Sequence, residues 1–172
     1  PRREMIAKIK AAVAARTDPD MVIIARTDAM KTDGFAEGVE RANRYLEAGA
    51  EMIMAFPNTL EEARLAPREI KGPLVYVNSE GNRWNRPVFL VKEFEDMGYK
   101  MSTYGTTLLC PVTQEIKRIL TNLMTKGGSG LPQDKMLLWK KEVEDLIGLE
   151  EYYKIESATV ERGAGKRKKK GA

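Results

Sequence analysis

The chain has 172 residues, of which 42% are apolar and 31% charged, enough for one ordinary domain with a hydrophobic core. Histidine is absent and Cys110 is the single cysteine, which excludes Ser-His-Asp and Cys-His catalysis, histidine-containing zinc sites and internal disulfides from these residues. The five consecutive cations Lys166–Lys170 exceed the net charge of +4, so the body is close to neutral and offers no nucleic-acid surface.

Arg2 to Thr17 has helical periodicity, with Met5, Ile6, Ile9 and Val13 on one face. After the breaker Asp18-Pro19-Asp20, the run Met21–Ala25 reads as a buried parallel strand that ends abruptly in Arg26-Thr27-Asp28. Met30 to Asp33 is expected to be a loop, and Phe35 to Ala48 an amphipathic helix with Gly49 as its C-cap. A second strand covers Glu51–Ala55. A helix follows over Leu60–Arg68, with Thr59 as N-cap and Glu61 and Glu62 in its first turn. Pro73–Val77 is a third strand, Gly81–Pro87 a polar loop, Val91–Met97 a short helix closed by Gly98, and Lys100–Tyr104 a brief fourth strand. Helices are expected over Leu109–Lys126 and Lys135–Ile147, separated by a flexible Gly127–Gly130 hinge, with a short helix or turn over Glu150–Lys154. The tail from Arg162 lacks apolar residues and is expected to be disordered and solvated, the alternative being an RNA-binding or localisation segment at Lys166–Lys170.

Strands alternating with helices indicate βαβ units, with chemistry where the strands stop. Spacing alone leaves two architectures open, a doubly wound sheet and part of an eight-stranded barrel. No apolar run reaches the ~20 residues of a membrane span, and no apolar stretch of signal-peptide type follows Pro1. A cytoplasmic protein without a membrane partner is expected.

Lys8–Val13, Val22–Ala29, Glu40-Arg41-Ala42 and Glu47–Ile53 together resemble the isocitrate lyase / phosphoenolpyruvate mutase superfamily, in its methylisocitrate lyase and carboxyphosphonoenolpyruvate phosphonomutase branch. The resemblance continues through Gly72-Pro73-Leu74, Asn78, Glu80-Gly81, Phe94–Lys100 and Tyr104 to Glu142–Leu149 and Tyr152-Tyr153. It implies an α/β fold: the C-terminal half of a (β/α)8 TIM barrel, strands five to eight, with Met21–Ala25 as the fifth and Lys100–Tyr104 as the eighth. A C-terminal helical segment exchanged between the subunits of a homo-oligomer is also implied. The expected division is a partial barrel over 1–126, a hinge and helical segment over 127–160 and a basic tail over 161–172. In the family the earlier strands carry the Mg2+ aspartates and a Lys-(Lys/Arg)-Cys-Gly-His loop. Neither is present, and Cys110 is in the wrong place to substitute. Mg2+ is therefore implied as a cofactor whose ligands lie outside these residues.

The implied activity is a carbon–carbon bond lyase acting on a small 2-hydroxy or 2-oxo di- or tricarboxylate through a Mg-stabilised enolate, inactive as this segment alone. The alternatives are a phosphonomutase and a non-catalytic half-barrel interaction protein. Arg26 is the candidate catalytic and substrate-binding residue, because a guanidinium at a strand end grips a carboxylate through two parallel hydrogen bonds; a local ion pair with Asp28 is the alternative. Asp28 and Thr27 would orient Arg26, or else cap the next segment. Asn78 matches the family's strand-seven asparagine and would donate to the substrate carboxylate, and Glu80 would contribute from a loop one residue shorter than usual. The glutamate that many lyases carry near Phe56-Pro57-Asn58 is absent. Arg83-Trp84-Asn85-Arg86 is read as a solvated loop anchored by Trp84, the alternative being closure over an anion.

Overall fold

The computed structural model describes residues 1–159, so the basic tail lies outside the described residues. Four apolar runs form strands β1 (Ile24–Thr27), β2 (Met52–Ala55), β3 (Leu74–Val77) and β4 (Met101–Thr103), all parallel, in the order β1-β2-β3-β4. Parallel neighbours require crossovers. These are supplied by α3 (Phe35–Glu47), α4 (Leu60–Glu69) and α5 (Val91–Met97), which follow α1 (Arg2–Ala15) and α2 (Ala29–Thr32) in the chain. The order advances by one strand each time. It lacks the reversal a doubly wound sheet needs among these four strands.

The register decides what each face carries. Arg26 is level with Met54, and Val77 with Thr103. Ala25, Thr27, Ile53, Ala55, Leu74 and Tyr76 point to the helical side and are buried, packing with Ala42, Tyr45, Ala63, Ala66, Phe94 and Tyr99 in one core. The opposite face carries Ile24, Arg26, Met52, Met54 and Met101, which are half-buried or exposed, and Val75 at its centre, which is buried. Parallel sheets are almost always covered on both faces, whereas here Ile24 is 38% and Met101 44% exposed.

Local chemistry explains several boundaries. Thr59 makes the expected N-cap, its hydroxyl accepting from the Glu62 N–H at 3.1 Å. Gly49 follows α3 with φ +106, and a Cβ there would meet Val13 at 2.9 Å, so both backbone handedness and close approach favour glycine. Pro67 lies inside α4 and cannot donate to the Ala63 carbonyl; the buried Tyr99 hydroxyl donates to that carbonyl instead at 2.9 Å.

Other boundaries differ from the sequence reading. The first strand begins at Ile24 rather than Met21. Arg16 donates to the Met21 carbonyl, and the Glu51 carboxylate accepts from Arg16 and from the Ile23 N–H, so side chains hold the run that precedes the strand. The expected loop at Met30–Asp33 contains α2, whose Met30 is buried against Gly38 of α3.

The chain divides into two units, 1–114 and from Glu115 onward. The second unit takes in most of α6 (Leu109–Lys126), then α7 (Gln133–Leu146) and α8 (Leu149–Thr159). The last of these extends well past the expected Glu150–Lys154. Gly127 and Gly130 take φ +71 and +72 in the turn after α6, and Asn122 donates to the Ser129 carbonyl at 3.1 Å.

Candidate functional site

The carboxyl ends of the strands converge on a cavity of about 380 Å3, the place where parallel α/β sheets bind ligands. Arg26 enters it from β1, Met54 and Phe56 from β2, Val77 and Ser79 from β3, Thr103 from β4, and Asn82, Arg83, Trp84 and Arg86 from the loop after β3. Three lining residues are arginines and none is acidic. A second cavity of about 400 Å3 lies among α4 and α5 residues, but there Arg64 and Arg68 are balanced by Glu93 and Asp96.

The Arg26 side chain is 59% exposed. Its Nε and Nη2 both donate to Asp28 Oδ1, at 3.2 and 3.1 Å, and its guanidinium carbon lies 4.5 Å from the Phe56 ring centroid. One carboxylate oxygen thus steadies the guanidinium while much of it faces the cavity. The Arg26–Asp28 contact is a local ion pair, the geometry common to both readings of these residues. Thr27 is buried, and its hydroxyl accepts from the Ala29 N–H at 3.3 Å, which starts α2 and faces away from the cavity.

Asn78 and Glu80 both find partners within the chain. Asn78 is 2% exposed. Its Nδ2 donates to the Phe89 carbonyl at 2.9 Å and its Oδ1 accepts from the Phe89 N–H at 3.1 Å. Both ends of the amide are engaged by backbone, as in a strand ladder, so the side chain fastens the end of the loop. Glu80 is exposed, and its carboxylate accepts from the Thr107 hydroxyl at 3.0 Å. Of the five sequence-selected residues, only Arg26 lines the cavity at the strand ends.

The loop from Ser79 to Pro87 is closed by Asn82, which donates to the Ser79 and Arg86 carbonyls and accepts from the Arg86 N–H at 2.8 Å. Asn85 takes φ +49, a conformation asparagine tolerates. Trp84 is exposed, with the Lys31 ammonium 4.0 Å from its ring centroid. Arg86 is only 5% exposed and stacks on Phe56, its guanidinium carbon 4.9 Å from the ring centroid. The solvated-loop reading therefore fails at Arg86, which packs inward. The sequence signal was the paired arginines around an aromatic residue. Beneath it, Tyr76 donates to the Pro87 carbonyl at 2.7 Å, and burial pushes its hydroxyl up to about 12.

Among the described residues no three acidic, histidine or cysteine side chains lie close enough to hold an ion. The residues present do not fit Mg2+.

Residues 1–124 match the family model described as phosphoenolpyruvate phosphomutase. A 2-methylisocitrate lyase from Aeropyrum pernix is 38% identical over 154 residues, covering 88% of this chain and 48% of that protein. The structure of an oxaloacetate acetylhydrolase in complex with the inhibitor 3,3-difluorooxalacetate superposes with TM-score 0.77 at 26% identity, over 92% of this chain and 53% of that one. A phosphonopyruvate hydrolase in complex with oxalate and Mg++ superposes with TM-score 0.69 at 26% identity, over 91% and 56%. The chain spans about half the length of these relatives. With the match extending from the first residue through all four parallel strands, the chain belongs to the phosphoenolpyruvate phosphomutase family, within the isocitrate lyase / phosphoenolpyruvate mutase superfamily.

Proposed function

We propose that this chain is the carboxylate-binding half of a carbon–carbon bond lyase acting on a small 2-hydroxy or 2-oxo di- or tricarboxylate. The observation that carries this reading is the cavity at the strand ends, lined by three arginines and no acid. Arg26 is the anchor: steadied by Asp28, it grips a substrate carboxylate through paired charge-assisted hydrogen bonds. Cleavage beside a carbonyl leaves an enolate, and preorganised cations along the cavity offset that developing charge. Mg2+ is not assigned a step, because the described residues offer it no ligand set.

The half-barrel reading is supported by the unreversed strand order, the helices confined to one face and the outer sides of β1 and β4, which have no strand partner among the described residues. In this reading the units are a partial barrel followed by a hinge and helical segment. Apolar residues left exposed on α7 and α8, among them Leu137, Leu138, Leu146, Tyr152 and Ile155, support exchange of this segment within a homo-oligomer. No helix is long and apolar enough to cross a membrane among the described residues, and the exposed lone Cys110 suits a reducing cytoplasm. The partly uncovered sheet face, with Ile24 and Met101 exposed, also favours a second reading, a non-catalytic half-barrel that binds another protein.

Binding decides between them. Oxalate titrated into the 172-residue chain by calorimetry is expected to bind, and Arg26→Leu to weaken it about 10- to 100-fold, the range for losing a charge-assisted contact. Equal affinity in the variant, or no binding by the parent chain, overturns the carboxylate reading and favours the interaction protein.

A further inference from the structure

Arg86 presents a contradiction that the proposed site does not resolve. Its side chain is buried, yet Nε and Nη1 have no hydrogen-bond partner, and Nη2 makes only a long contact of 3.4 Å to the Val77 carbonyl. A buried cation is costly unless it is paired. The rings of Phe56 and Tyr76, with centroids 4.9 and 6.0 Å from the guanidinium carbon, attract the face of the group. Cation–π attraction leaves the in-plane N–H edge unmet, and that edge is what a carboxylate binds. Asp28, which lines the small adjoining cavity with Arg86, is already paired with Arg26. Among the described residues no carboxylate is paired with the Arg86 guanidinium, so its N–H edge is open to the charge a ligand brings.

We propose that Arg86 is a second anion subsite, which takes the distal carboxylate of a dicarboxylate whose first carboxylate is held by Arg26. The two guanidinium carbons lie 4.5 and 4.9 Å from the same Phe56 centroid and so are at most 9.4 Å apart, within the reach of a short diacid held at both ends. The uncharged Phe56 ring stacks with both guanidinium groups. An acid there would compete with the ligand for both arginines, whereas an aromatic ring brings no competing carboxylate. The loop after β3 shields the Arg86 edge from water, so the diacid enters as that loop shifts and the Lys31–Trp84 contact is released. Selection for a second negative charge follows: a monocarboxylate satisfies Arg26 alone.

This inference rests on Arg26 as the first anchor, and the experiment separates the two. The full chain with isotope-labelled arginine is titrated with malonate, and with acetate as the single-charge control, following each arginine Nε–H resonance. Malonate is expected to shift the Arg86 resonance saturably and slow its exchange; acetate is expected to shift Arg26 alone. Arg86→Met is expected to lower malonate affinity tenfold or more, to the level of acetate. Should that variant fail to fold, the titration of the parent chain decides by itself. An Arg86 resonance unmoved by malonate, or parent-like malonate affinity in a folded Arg86→Met, overturns the second subsite and leaves the Arg26 reading standing. Malonate that still moves Arg86 in Arg26→Leu at unchanged affinity overturns the Arg26 anchor instead. A parent chain that binds neither acid overturns both.

Discussion

Asn78 and Arg86 carry polar groups into the same buried region and treat them in opposite ways. The Asn78 amide is saturated by the backbone of Phe89, so its removal should act through stability. Asn78→Ala leaves a buried N–H and a buried carbonyl unpaired, each such loss costing about 1–3 kcal/mol. Urea unfolding is expected to show a fall of that order, and an unchanged midpoint would contradict the clamp. The difference between these residues was invisible in the sequence. Arg26 was legible because it ends an apolar strand, where period-2 alternation fixes the direction of its side chain. Asn78 was legible as a residue at a strand end, but its partner lies eleven positions away across a loop whose path no local pattern fixes. The burial of Arg86 depends on Phe56 and Tyr76, which only the sheet brings beneath it.

At the scale of elements, apolar periodicity and turn residues located the four strands and the longer helices, because each element signals its own start and stop. Thr59 acted as read, and Gly49 takes the expected left-handed conformation one position beyond the cap residue Ala48. The four-residue α2 was missed: one turn has no periodicity to detect, and it forms because Met30 is buried against α3. The junction of α1 and α3 was also outside local reach. Glu37 on α3 accepts from Arg2 on α1 at 2.5 Å and from Arg41 Nε at 2.6 Å. These hydrogen bonds lower its carboxyl from the ordinary 4.5 to about 2. A depressed folded-state value means that the pair stabilises the fold above the ordinary value, and that this contribution is lost as pH falls toward about 2. Thermal unfolding between those limits is expected to show an acid-dependent loss that Glu37→Gln reduces. An identical acid dependence in the variant would contradict the assignment.

For the molecule as a whole, the first unit is a sheet with one finished face. Its helical side buries Ile53, Leu74 and Tyr76 completely or nearly so, while the other face leaves Ile24 and Met101 exposed and the outer edges of β1 and β4 have no strand partner among the described residues. Unpaired edges are where exchange and association begin. Hydrogen exchange on the isolated chain is expected to protect β2 and β3 and to leave the outward amides of β1 and β4 fast; slow exchange at both edges would show that the chain already pairs with copies of itself. The sequence left barrel and doubly wound sheet undecided because strand spacing carries no information on strand order. The structure supplies that order, and with it the convergence of three arginines on one cavity. The most direct test of that cavity as a carboxylate site is a crystal structure of the chain grown with oxalate. The account predicts oxalate at the strand ends with a carboxylate within hydrogen-bonding distance of the Arg26 guanidinium; a cavity holding only water while the acid binds elsewhere or not at all would contradict it.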